Sequence, residues 1–126
     1  QAVAFVHQTG VDALAVSIGT VHGFYKAEPC IRLDRLQEIR ARVNVPLVMH
    51  GGSGTPEEAV RASTRHGIAK VNINTELKWA FAEGLRQTFH VNPEEDDPRV
   101  YYGQAMRSAR QLVRHKIELF GSAGRV

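Results

Sequence analysis

Two histidines occupy positions that could do chemistry. His22 follows the apolar run Ala13-Leu14-Ala15-Val16-Ser17-Ile18 through Gly19-Thr20-Val21, and Gly23 comes next. His50 follows Pro46-Leu47-Val48-Met49 and is itself followed by Gly51. The two lie about one β–α repeat apart, so adjacent strands would bring them to one mouth of a β/α architecture, where active sites sit. Two imidazoles placed in this way can share Zn²⁺ at about 2.0–2.1 Å and leave positions for another ligand and a substrate. The competing reading is that each histidine caps its strand through hydrogen bonds. His7, His66, His90 and His115 lack this setting and read as surface or helix residues.

The stretch after His50, Gly51-Gly52-Ser53-Gly54-Thr55-Pro56-Glu57-Glu58, has a second kind of chemistry in it. Glycines without Cβ let backbone amides approach a ligand. Thr55 reads as an N-cap, Pro56 as the first helical residue and Glu58 as the closing member of a capping box. A helix N-terminus beneath a glycine turn is an anion site. Ile68 to Ile73 reads as a third strand, with Asn72, Asn74 and Thr75 as its polar exit. Amides of Gly51, Gly52 and Ser53, the Ser53 hydroxyl and the Asn74-Thr75 turn could hold one phosphate between them. An ordinary tight turn with a good cap is the alternative.

The elements that must position these groups follow from periodicity. Ala2, Val3, Phe5 and Val6 form a helix face that stops at Thr9-Gly10. The strand over 13–18 is near-continuously apolar and is expected to be buried on both faces. Leu33, Leu36, Ile39 and Val43 recur at helical spacing up to Asn44 and Pro46. The helix after His50 carries Ala59, Val60 and Ala62 and stops at Gly67. Thr75 is expected to cap a helix with the stripe Leu77, Ala80, Phe81, Gly84, Leu85 and Phe89. His90 to Asp97 reads as a loop. A last helix over 101–120 is expected to show Ala105, Met106, Ala109, Leu112, Val113 and Ile117 on one face. Its cations Arg107, Arg110, Arg114 and Lys116 read as a solvated face.

Strand–helix alternation predicts an α/β fold with a parallel sheet. Three strands cannot bury both of their faces, and an eight-stranded barrel takes about 250 residues. Residues 1–126 are therefore read as the C-terminal half of one (β/α)8 TIM-barrel domain, with the N-terminal half outside this sequence. With 16 basic and 13 acidic residues the formal charge is +3, without the basic stripe and stacking aromatics of a nucleic-acid surface. No run approaches the roughly 20 apolar residues of a membrane span, and no signal-peptide pattern opens the chain. The single Cys30 excludes an internal disulfide and suits a reducing cytoplasm.

The strings AVSIGTVHGFY, PLVMHGGSGTP, AKVNINTELKWAF, DPRVYYGQA and FGSAGR occur in order from Val11 onward. In them the chain resembles the class II, zinc-dependent fructose- and tagatose-bisphosphate aldolases. The resemblance implies reversible cleavage of a ketohexose 1,6-bisphosphate into dihydroxyacetone phosphate and glyceraldehyde 3-phosphate. It matches His22 and His50 to two of three zinc-binding histidines, with zinc polarising the ketone and stabilising the enediolate. Asn72 matches an asparagine, taken as catalytic, that contacts the substrate near the reacting carbons. Gly23, Gly51, Gly52, Ser53, Asn74 and Thr75 match the cradle for the dihydroxyacetone-phosphate end, and Asn72 and Ile73 join them as substrate-binding residues.

Arg99 matches an arginine that in some members reaches into a neighbouring subunit to hold the far phosphate, for which a forked guanidinium is suited. The resemblance also implies a monovalent cation (Na⁺ or K⁺), a homodimer or homotetramer, and a cytoplasmic enzyme of carbohydrate metabolism such as glycolysis. The family's acid/base aspartate, third zinc histidine and mobile loop belong to the N-terminal half. The isolated chain is therefore expected to be inactive. A non-catalytic sugar-phosphate-binding or assembly subunit is the alternative function. Fructose and tagatose bisphosphates differ at one stereocentre, which these residues leave undecided.

Overall fold

Short apolar runs punctuated by glycine and proline fold here as three strands, each followed by a helix. A computed structural model describes residues 1–21, 23 and 29–125. The order is α1 (Ala2–Thr9), β1 (Leu14–Ala15), α2 (Leu33–Arg40), β2 (Leu47–Met49), α3 (Glu57–Arg65), β3 (Ile68–Val71), α4 (Thr75–Val91) and α5 (Pro98–Leu119). The chain divides into two units, Gln1–Ile73 and Asn74–Val126.

The first unit holds a parallel sheet in the order β1-β2-β3. Its register pairs Leu14 with Leu47 and Ala15 with Val48 on one side, and Val48 with Lys70 and Met49 with Val71 on the other. Side chains alternate along a strand, and an irregularity in the pairing with β3, between Ile68 and Lys70, shifts its register by one residue, so the residues sort onto two faces. Val16, Ile18, Leu47, Met49 and Ile68 lie on the buried face, and Leu36, Val43 and Val60 complete the core. Ala15, Ser17, Val48, His50 and Lys70 fall on the other face, where Val48 is buried and the other four are exposed. Within residues 1–126 the first strand is therefore covered on one face only. Ala15 and Ser17 are small enough to continue an apolar-looking run while standing on the open face. The strand is also shorter than 13–18, although Val16 N–H still donates to Val48 O at 3.2 Å.

Helix boundaries follow the glycines. α1 ends where Gly10 takes the left-handed conformation (φ 63°) and its N–H returns to Val6 O, which a residue with Cβ would adopt only under strain. α3 is capped differently from the sequence expectation. Its N-cap is Pro56, extended at ψ 136°, with no side-chain cap bond. Thr55 is buried instead, and its hydroxyl donates backwards to Gly51 O at 3.5 Å. At α4, Thr75 is the first helical residue and Asn74 the N-cap, again without a side-chain cap bond.

The second unit is a pair of antiparallel helices. Phe89 meets Tyr101 with ring centroids 5.4 Å apart, and a Cβ on Gly84 would stand 2.6 Å from Ala105 Cα. Lys116 Nζ lies 2.8 Å from Glu76 Oε2. These contacts place the start of α4 beside the end of α5. They also correct the expected face of α5. Ala105, Lys116 and Leu119 are buried, whereas Met106, Val113 and Ile117 are exposed. Lys116 is therefore no part of a solvated cationic face. No helix among the described residues is long and apolar enough to cross a membrane.

Candidate functional site

The C-terminal ends of β2 and β3 place the predicted residues side by side. After the Met49–Val71 pair the next residues are His50 and Asn72, and Asn72 N–H donates to Met49 O at 2.9 Å. The ladder thus persists to the point where both strands leave the sheet. Two-residue alternation puts His50 on the face of Val48, and Asn72 on the face of Lys70. Lys70 Nζ donates to Asn72 Oδ1 at 2.7 Å. His50 is exposed, and Asn72 and Ile73 are half-buried.

Gly51, Gly52, Ser53 and Thr55 are all buried. The turn is closed from within, by Thr55 N–H donating to Gly52 O at 3.3 Å. Gly51 has φ 72°, and a Cβ there would stand 2.5 Å from Val21 O. At Gly52 the obstacle is purely steric. A Cβ would stand 2.7 Å from Val71 Cγ1 and 3.2 Å from Ile73 Cδ1. The absence of Cβ at these two positions therefore lets the turn press against its neighbours in the protein. Asn74 and Thr75 belong to the second unit, at the start of α4. Gly23 is half-buried, and among the described residues no atom lies within 4 Å of where its Cβ would be.

His22 lies outside the described residues. Among the described residues no group of three His, Cys, Asp or Glu gathers to hold a metal. His50 at the open end of a strand has the donor chemistry that zinc takes, and fits as one ligand of a set. The other histidines are exposed, and His66 Nδ1 shares a 2.9 Å hydrogen bond with Gln37 Nε2.

Arg99 stands in the first turn of α5 with its side chain 91% exposed. Asp97 caps this helix by accepting from Arg99 N–H at 2.9 Å. The same carboxylate accepts from Arg99 Nη2 at 2.7 Å and from Nε at 3.0 Å. The guanidinium's hydrogen bonds, followed by that backbone N–H, hold the Asp97 carboxyl below its ordinary range and push Arg99 up. Residue-by-residue reading of the sequence did not find Asp97 or Lys70 as partners of candidate site residues. An acidic residue before proline at a helix start signals the first, and the two-residue strand period signals the second.

The chain matches the family described as fructose-bisphosphate aldolase, class II, over residues 1–125. It is similar to the solved structure of the YdjI aldolase from Escherichia coli K12, with 33% identity and a TM-score of 0.84 over 98% of this chain. It is also similar to the fructose-bisphosphate aldolase from Campylobacter jejuni, with 25% identity and a TM-score of 0.75 over 95% of this chain. In each case the chain spans 44% of the solved protein's length.

Proposed function

The chain belongs to the class II fructose-bisphosphate aldolase family, and from this premise we propose that it contributes one side of the active site of a zinc-dependent ketose-bisphosphate aldolase. The observation that carries the reading is the adjacency of His50 and Asn72 at the ends of two paired parallel strands, next to the buried glycine turn. Residues 1–126 are the C-terminal half of a single barrel domain. The catalytic aspartate and a third histidine come from the other half.

In this reading His50 and His22 hold the zinc ion. Zinc, when bound, supplies the Lewis acidity that draws electron density from the substrate ketone. Asn72 touches the substrate near the bond that breaks, where its amide N–H groups can donate to an oxygen that gains charge. The turn of Gly51, Gly52 and Ser53, together with Gly23, Ile73, Asn74 and Thr75, holds the phosphate of the dihydroxyacetone-phosphate end. Burial of Ser53 favours this, since a hydrogen bond to an anion is stronger where water is excluded. Arg99 holds the far phosphate, across a subunit boundary in a homodimer or homotetramer. A monovalent cation, Na⁺ or K⁺, sits near the first phosphate, and the enzyme works in cytoplasmic carbohydrate metabolism. The substrate is fructose or tagatose 1,6-bisphosphate.

The test is His50→Ala in the aldolase-active protein that carries this sequence. Cleavage of both bisphosphates and bound zinc should be lost, while binding of inorganic phosphate is largely kept. Unchanged cleavage would overturn the zinc role and leave a sugar-phosphate-binding or assembly subunit as the better reading. The purified 126-residue chain alone should cleave neither sugar, and EDTA-sensitive cleavage by it would overturn the shared active site.

A further inference from the structure

We propose that Lys70 is a positioning residue that orients the carboxamide of Asn72 so that its N–H groups, and not its oxygen, face the substrate. The inference rests on the reading that Asn72 touches the substrate. It assigns a function to a residue which that reading does not use.

The observation is the 2.7 Å hydrogen bond from Lys70 Nζ to Asn72 Oδ1. An ammonium group has three donors and no acceptor. It can therefore pair only with the oxygen of a carboxamide, and an amide turned the other way would set NH₂ against NH₃⁺. The two ends of an asparagine amide are nearly equal in size, so shape alone does not choose between them. The charge on Lys70 does. With Oδ1 held by Lys70, both N–H bonds of Nδ2 remain for a ligand. The Lys70 charge also polarises the amide and makes those N–H groups better donors.

The strand supplies the geometry. Lys70 and Asn72 are two residues apart, so they share a face of β3, and the pairing of Val48 with Lys70 places that face beside His50 at the same end of the sheet. Lys70 is exposed, with no part in the buried core, so its exchange does not empty a packed site.

A developing negative charge on a substrate oxygen is stabilised by N–H donors and opposed by a carbonyl oxygen. Asparagine in the flipped orientation would therefore work against the reaction. Lys70 is the residue that holds this flip off.

The experiment measures kcat and KM for K70R, K70M, K70E, N72A and K70M/N72A in the aldolase-active protein. K70M and K70E should lower kcat about tenfold or more while KM changes by about twofold at most, the mark of an interaction realised in the transition state. K70E should be the worse of the two, because a carboxylate accepts from Nδ2 and turns the amide around. K70R keeps a donor and should keep most of the rate. K70M/N72A should be no slower than N72A, since Lys70 acts through Asn72. K70E retains a solvated polar side chain and carries the test should K70M fail to fold. If N72A is slow and K70M and K70E are not, the role of Lys70 is overturned and the role of Asn72 stands. Fully additive losses in K70M/N72A would overturn it equally. Should N72A itself keep wild-type kcat, the reading of Asn72 falls, and the proposal for Lys70 falls with it.

Discussion

Two ion pairs on the same helix have nearly the same length and opposite surroundings. At the start of α5, Arg99 Nη2 lies 2.7 Å from Asp97 Oδ2, with side chains 91% and 32% exposed. Near its end, Lys116 Nζ lies 2.8 Å from Glu76 Oε2, with side chains 10% and 18% exposed. Distance therefore says little about what each pair does. The exposed pair competes with water and salt and adds little to stability. It holds its guanidinium where another anion could take the place of the carboxylate. In the second pair most of each side chain is out of water once the helices have packed, so removing one charge leaves the other poorly compensated. The first is suited to exchange a ligand, and the second ties the start of α4 to the end of α5.

The sharpest way to break this comparison is at Lys116. Lys116→Met removes the Lys116 charge from beside Glu76 and should cost up to about 3–5 kcal/mol, read as an earlier transition in a denaturant melt of the aldolase-active protein. Adding Glu76→Gln should recover part of that loss. A loss no larger than that of a surface substitution would show that the pair is solvated after all.

A contact that involves no charge gives the next largest effect. In the first unit, Gly52→Ala drives a methyl group against Val71 and Ile73. It should cost about 1–3 kcal/mol through overpacking, and it should slow cleavage as well, because Val71 and Ile73 flank Asn72. Wild-type stability in this variant would show that the β3 exit gives way freely.

Arg99 should behave in the opposite manner to Lys116. Arg99→Ala should leave the melt unchanged while raising KM for the bisphosphate about tenfold, with added salt weakening what remains. A lowered melt with unchanged KM would exchange the roles assigned to the two pairs.

The smallest effects are in acid. A carboxyl depressed in the folded chain contributes stability above its unfolded pKa and loses it as pH falls through the lower folded value. Asp97 should titrate below the ordinary carboxylate range and return towards it in Arg99→Ala, as followed by carboxyl NMR shifts. Asp34, held mainly by the hydrogen bond from Arg32 and also by the backbone N–H of Arg35, should stay ionised down to about pH 2. Asp34 is exposed and Asp97 half-buried, so substituting either pair's arginine should change the acid dependence of the melt only slightly.

Local pattern was enough to predict several features. Alternation of apolar runs with helical periodicity predicts strand, helix, strand, helix, strand, and the parallel sheet follows. Gly10 and Gly67 mark helix ends because a left-handed residue is needed at the first and a sharp exit at the second. His50 is recognisable as a strand-end residue because it is the first polar group after an apolar run, and Asn72 because it opens the polar exit Asn72-Ile73-Asn74-Thr75. These are properties of neighbours in the chain, and neighbours are what a sequence displays.

What the sequence left open depends on distances between residues far apart in it, or on which of two equivalent choices packing prefers. Thr55 has the composition of a cap, but tertiary burial turned its hydroxyl to Gly51 and left α3 to start at Pro56. Ala15 and Ser17 stand on the face of Val48 and His50, opposite Val16 and Ile18, because register and not hydrophobicity assigns a strand's two sides. Lys116 looks like one more surface cation until Glu76, remote in the chain, lies against it. The sequence by itself determined the order of the elements and the residue types at their ends, since both arise from short-range sterics and periodicity. Only the tertiary structure decided which face became core, which charges were buried and which groups hold Asn72 and Arg99, because strand register and helix packing set those contacts.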